Sequence, residues 1–169
     1  MPPQVHLDPA TLDCQSVVAD REEIRRFNRQ RYEMEHLDAI IYFDEKAHLV
    51  AGYKDVREDE FWVRGHMPGF PLLPGVIMCE TAAQLCSYYC GKTNILQSDF
   101  IGFGGMENVR FRSPVYPGDR LVVIGKAMKI HRRQTVFNVQ GFVGSTMVFH
   151  ADVIGVPMKQ SERNQTPSP

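Results

Sequence analysis

The chain has no surplus of either charge. Its 19 Lys and Arg against 20 Asp and Glu leave a net −1 over 169 residues. A balance this even provides no overall basic field, so neither nucleic acid nor an anionic membrane surface is expected as a partner. No uncharged apolar run reaches about eighteen residues, so no membrane-spanning helix is expected. The opening Met1-Pro2-Pro3-Gln4-Val5-His6 lacks a charged region followed by an apolar stretch, so a secretory signal is not expected and the cytoplasm is the expected compartment. Cysteine is scarce: Cys14, Cys79, Cys86 and Cys90 are the full set. They contain no Cys-x-x-Cys pair and meet no second cluster of ligands, so neither a disulfide framework nor a zinc site is expected. The last three fall in one expected helix, as small buried residues. There is no internal repeat and no low-complexity tract.

What is present suits one domain with a sizeable core: 43% apolar and 23% charged residues. Residues 1–19 show little periodicity and read as an extended arm. Asp20-Arg21-Glu22-Glu23 has the form of a helix start, with Asp20 as N-cap and acids in the first turn, giving a short helix over 20–30. From Ala39 the period shortens toward strand. Ala39–Phe43, a turn at Asp44-Glu45-Lys46 and a return over His48–Tyr53 predict a hairpin, and Glu60–Val63 a short strand. Residues 75–90 predict one long helix, apolar nearly all round and therefore buried on most sides. Asn108–Arg112, Arg120–His131, Thr135–Val143 and Thr146–Val156 read as strands joined by short turns, an antiparallel meander. The arrangement is α+β: a curved antiparallel sheet wrapped around one long buried central helix. The polar stretch 158–169 reads as a disordered tail.

The segment His66-Met67-Pro68-Gly69-Phe70-Pro71-Leu72-Leu73-Pro74-Gly75-Val76-Ile77-Met78-Cys79-Glu80 carries the chemistry. Three prolines and two glycines stiffen a loop, and a Pro-Gly step opens the apolar helix. A titratable His lies in the loop and a lone carboxylate sits inside the helix. An acid and a base on stiff backbone in apolar surroundings suit proton transfer. Each also has a plainer reading. A His in a loop is often only a satisfied polar residue, and a buried Glu can serve a structural ion pair.

With Ala83-Gln84 just beyond, this segment resembles the FabZ/FabA-type 3-hydroxyacyl-[acyl-carrier-protein] dehydratases of the hotdog superfamily. Their pattern is roughly G-H-F-P-x-x-P-x-x-P-G-V, then an acid four places on; Met67 stands where Phe is usual. Val109-Arg110-Phe111-Arg112-Ser113-Pro114-Val115-Tyr116-Pro117-Gly118-Asp119 is similar to the family's R-F-x-x-P-V-x-P-G-D. The resemblance covers about residues 31–157 and implies one hotdog domain there, with 1–30 as an added arm.

It further implies dehydration of a 3-hydroxyacyl thioester in fatty-acid or related acyl-chain biosynthesis. His66 matches the base, and Glu80 the acid that protonates the leaving hydroxyl, which needs a raised pKa that burial would favour. Gly75, at the helix start, could polarise the thioester carbonyl through its N–H. Gln84, one turn beyond Glu80, could orient it. Phe70, Leu72, Leu73 and Val76 are candidates to line an acyl tunnel, and loop-to-core packing explains the first three equally well. No metal or other cofactor is implied, the substrate arriving on the phosphopantetheine of acyl carrier protein or coenzyme A. The family builds its site between two subunits, so a homodimer is expected, with a trimer of dimers as a further step. Lys126, Lys129, His131, Arg132 and Arg133 form the densest basic cluster, either a carrier-protein dock or a solvated hairpin tip. Arg31-Tyr32-Glu33-Met34-Glu35-His36-Leu37-Asp38 departs from the family's R-Y-P-F-L-L-V-D by placing two acids and a His at apolar positions. A hotdog thioester hydrolase and a non-catalytic acyl-binding or assembly module are the rival readings, favoured by segment 33–37 and opposed by the His66/Glu80 pair.

Overall fold

The computed structural model describes residues 3–160; residues 161–169, most of the expected tail, lie outside them. Six strands, β1 (Ala39–Asp44), β2 (Leu49–Asp55), β3 (Phe100–Phe111), β4 (Arg120–His131), β5 (Gln134–Val143) and β6 (Thr146–Met158), form one sheet. The order is β1-β2-β4-β5-β6-β3, with every neighbouring pair antiparallel. The long helix α2 (Gly75–Thr93) lies in the curve of the sheet and the short helix α1 (Arg21–Phe27) packs beside it. Among the described residues, no helix is long and apolar enough to cross a membrane.

Helix α2 forms where the sequence has no β-branched run and few polar residues. Met78, Ala82, Leu85, Tyr89 and Cys90 face a cluster that includes Val50, Leu121, Val123, Phe137, Phe149 and Val153. Each of the larger side chains contributes roughly 1.5–3 kcal/mol by leaving water. The helix ends at Asn94, which adopts a left-handed conformation (φ 50°) and returns its N–H to the Cys90 and Gly91 carbonyls. Asp20 caps α1 by accepting from the Glu23 N–H at 2.9 Å. Acids in its first turn and arginines in its last complement the helix dipole.

Several parts differ from the sequence expectation, and the helix expected over 20–30 ends at Phe27, where Asn28 closes it. Glu60–Val63 is a turn rather than a strand: Val63 N–H donates to the Glu60 carbonyl at 3.0 Å and His66 N–H to the Trp62 carbonyl at 2.8 Å. β4 already pairs with β2, and local bonds consume the groups that a strand would offer. Strand β3 starts eight residues earlier than Asn108, because its glycine-rich first half pairs with β6 from Phe100↔Met158 onward. That pairing also holds Met158 in the sheet.

The arm packs on the outer face of the sheet. Leu7, Leu12 and Cys14 cover a second apolar cluster of Ile41, Leu49, Ala51, Val122, Ile124 and Phe142. His6 fastens it, its N–H donating to Gln140 Oε1 at 3.1 Å and its ring meeting Asn138 at 2.7 Å.

Among the described residues, one ion pair is buried: Lys54 Nζ lies 2.8 Å from Glu60 Oε2, with the side chains 1% and 10% exposed. Burial works to raise the Glu60 pKa, but bonds from Lys54, the Arg57 N–H and the Trp62 indole hold it below the ordinary 4.5. Lys54→Met therefore strands a carboxylate and is expected to cost about 3–5 kcal/mol in urea unfolding. Because the folded-state value is the depressed one, the contribution of Glu60 is present above pH 4.5 and is lost as pH falls through the folded value. The wild-type advantage over the variant should therefore shrink in acid.

Candidate active site

The loop before α2 is held largely by its own backbone. Phe70 N–H donates to the Met67 carbonyl at 2.9 Å and Leu73 N–H to the Val115 carbonyl at 2.7 Å. Trp62, where the loop begins, is buried, and its indole donates to Glu60 at 3.0 Å. Half-buried His66 sets its Nδ1 2.9 Å from the Leu72 carbonyl, and Leu72 N–H returns to the His66 carbonyl at 3.2 Å. A carbonyl can only accept, so the neutral ring carries its proton on Nδ1 and keeps the lone pair on Nε2.

Pro74 provides no side-chain cap to α2. Its carbonyl takes the Ile77 and Met78 N–H groups at 2.9 and 3.3 Å. The Gly75 and Val76 N–H groups are the helix-terminal donors left over. Position 75 admits no side chain as packed: a Cβ there would lie 2.6 Å from the Phe111 ring.

Glu80 lies one and a half turns on and is half-buried within one chain. Its Oε1 accepts from Gln84 Nε2 at 2.8 Å and from Gln30 Nε2 at 3.3 Å. Gln84 is itself fixed at both ends. Its Nε2 also donates to the Met34 carbonyl at 2.7 Å, its Oε1 accepts the His36 N–H at 3.0 Å, and its own carbonyl accepts from Asn28 at 2.9 Å. Gln30 and Asn28 escaped the sequence reading because it placed both inside the helix expected over 20–30, whereas α1 ends at Phe27 and leaves them in the segment beyond it. Within one chain His66 and Glu80 share no hydrogen bond among the described residues; each is held by separate partners.

The tunnel candidates separate. Leu73 is fully buried in the core and Leu72 half-buried in the loop, while Phe70 is 60% exposed against Tyr116 and Val76 is 73% exposed. The cleft at Glu80 is lined instead by α2 residues Ala83, Ser87 and Cys90 and by Ile101 and Val153 of the sheet. Lys129, His131, Arg132 and Arg133 stand exposed at the β4–β5 tip.

Segment 33–37 is absorbed in two ways. Glu35 takes a two-pronged bond from Arg25 of α1, at 2.7 and 2.9 Å, and that bond draws the Glu35 pKa down. His36 is 1% exposed, and neither ring nitrogen has a partner among the described residues. Burial, with Lys54 nearby, pushes its pKa down to about 4, so near neutral pH it fills space as an uncharged ring. The buried cysteines have thiol pKa values raised by burial, which leaves them protonated.

A family model described as a FabA-like domain matches residues 28–152. The chain is 33% identical over 133 residues to the 3-hydroxyacyl-[acyl-carrier-protein] dehydratase FabZ of Lawsonia intracellularis, covering 77% of this chain and 86% of that one. It is 34% identical over 150 residues to the bifunctional enzyme LpxC/FabZ of Chlorobaculum tepidum, covering 85% of this chain and 31% of that longer protein. Among solved structures, the dehydratase heterocomplex ApeI:P from Xenorhabdus doucetiae superposes with a TM-score of 0.71 at 16% identity, over 84% of this chain and 95% of that one. That likeness speaks for the fold alone.

Gln84→Leu should leave the Met34 carbonyl and the His36 N–H without partners, costing about 1–3 kcal/mol for each orphaned group. Urea unfolding measures it. The His36 ring predicts a pH effect of definite sign. Between its ordinary 6.5 and about 4, the unfolded chain binds a proton that the folded one refuses, so this contribution is complete above pH 6.5 and falls on acidification. His36→Leu should lose less stability between pH 7 and pH 5 than wild type; equal losses would rule out the ring as the cause.

Proposed function

The chain belongs to the FabA-like family, and from that premise we propose that it dehydrates 3-hydroxyacyl thioesters, carried on acyl carrier protein, to trans-2-enoyl thioesters in fatty-acid biosynthesis. The observation that carries the reading is the tautomer of His66, which frees Nε2 for use as a base.

In the proposed reaction, Nε2 of His66 takes the α-proton, and the electron pair moves into an enolate. The uncapped Gly75 N–H, with the α2 dipole behind it, meets the developing charge on the thioester oxygen. Glu80 gives its proton to the 3-hydroxyl as the carbon–oxygen bond breaks, and water leaves with the double bond formed. Gln84 and Gln30, both bonded to Oε1, leave Oε2 to face the substrate. Both proton transfers are assigned to side chains of this protein. A cytoplasmic setting belongs to the same reading.

We place the working site between two copies, His66 of one opposite Glu80 of the other. Support comes from strand β3, twelve residues long at an open edge of the sheet. It also comes from the exposed apolar residues Phe103, Phe111 and Val76 near that edge and the start of α2. Sedimentation should find a dimer or a trimer of dimers, and a stable, active monomer would overturn this arrangement.

Hydration of a crotonyl thioester, followed by loss of enoyl absorbance, tests the chemistry in reverse. His66→Ala and Glu80→Ala should each lower kcat/KM by about 10²–10⁴-fold. Release of free thiol by the wild type, without hydration, would mean a hydrolase instead.

A further inference from the structure

Three clefts meet along one side of α2, and the same two side chains line all three. The first, of ≈ 60 Å³, holds Glu80, Ala83, Cys90 and Val153. The second, of ≈ 100 Å³, lies farther along the helix against Phe27, Gly91, Asn94 and Phe100. The third, of ≈ 390 Å³, opens outward past Phe27, Gln30, Met34 and Phe100. Ser87 of α2 and Ile101 of β3 belong to every one of them. Ile101 is the larger of these two, while Gln30 is shared by the first and third clefts and Cys90 by the first and second.

The position of Ile101 is prepared by a missing side chain. A Cβ at Gly155 would lie 2.9 Å from Ile101 Cγ2 and 2.9 Å from Thr135 Oγ1. Gly155 thus leaves the pocket in which the Ile101 branch seats, across the β3–β6 pairing. The far wall is equally firm. A Cβ on Gly91 would lie 2.9 Å from Phe27 Cβ, so α1 rests directly on the α2 backbone, and Arg29 stacks on the Phe100 ring at 4.6 Å. Glu80 and Ile101 line the same first cleft, so an acyl tail whose 3-hydroxyl meets Glu80 meets Ile101 within that cleft.

We propose that Ile101 sets the acyl-chain length that this protein accepts, by dividing the cleft at Glu80 from the two clefts bounded by Phe27 and Phe100. Short 3-hydroxyacyl chains end against Ile101, and longer ones are disfavoured at its branch. The inference rests on the assignment of Glu80 to the reacting carbon of an acyl thioester.

The test compares 3-hydroxybutyryl with 3-hydroxydodecanoyl thioesters on the full-length wild type, Ile101→Ala and Ile101→Phe. Ile101→Ala should raise the dodecanoyl-to-butyryl ratio of kcat/KM by about tenfold or more, the scale on which a hydrophobic pocket discriminates among alkyl groups. Ile101→Phe should lower it. Calorimetric binding of the saturated butyryl and dodecanoyl thioesters gives the same ratio without turnover. Ratios unchanged from wild type in both variants and both assays would overturn the proposal. If the binding ratio shifts while no protein dehydrates either substrate, the length determinant stands and the dehydratase reading falls. Urea unfolding of both variants checks that the shift is not general loosening, since loosening would weaken both chain lengths alike and leave the ratio where it was.

Discussion

One buried carboxamide joins the parts of this molecule that must stay together. Gln84 is 2% exposed on a helix surrounded by sheet, where an unsatisfied polar group is costly. It satisfies itself by bonding the Met34 carbonyl, the His36 N–H and Glu80 at once. The segment entering β1, the central helix and the lone carboxylate are thereby fixed relative to one another. A fourth bond, from Asn28 to the Gln84 carbonyl, extends the bracket to the end of α1. The geometry of Glu80 follows from this network more than from its own packing.

The network also relates two oddities of the sequence. The N-terminal region adds α1, and segment 33–37 trades apolar residues for Glu35 and His36. Arg25 on α1 is the partner of Glu35, through two bonds. Asp38, just beyond the altered segment, is paired by Arg21 of α1 and by Arg57. The added helix thus supplies the cation for Glu35, one of the two acids in the altered segment. His36 needs no such help, since its ring is buried as an apolar side chain would be.

Much of the fold was legible because period alone decides it. Helix α2 and strands β4, β5 and β6 came out within a few residues of their ends, since long periodic runs bury one consistent face. Glu60–Val63 misled because aromatic and β-branched residues favour strand only where a partner strand is free. The first half of β3 was hidden by Gly102, Gly104 and Gly105, which carry no pattern. The docking of the arm left a trace that could have been used. Leu121-Val122-Val123-Ile124 is apolar on both faces of β4, and such a run needs cover on both sides; Leu7 and Leu12 help to provide it. Within the proposed site, His66, Gly75, Glu80 and Gln84 stood out through their motif. Gln30 and Ile101 did not, because their places depend on contacts between elements far apart in sequence.

The loop gives the His66 imidazole a partner with no side-chain identity. Nδ1 is held by a main-chain oxygen, and an ordinary substitution at Leu72 leaves that oxygen in place. The tautomer of the ring is therefore buffered against sequence drift as long as the loop keeps its path. The carboxylate across the site has no such protection, since Gln84 and Gln30 hold it through side chains that one nucleotide change can remove. The two halves of the proposed acid–base pair thus carry unequal mutational risk, and tuning by substitution falls on the proposed acid and leaves the proposed base largely untouched.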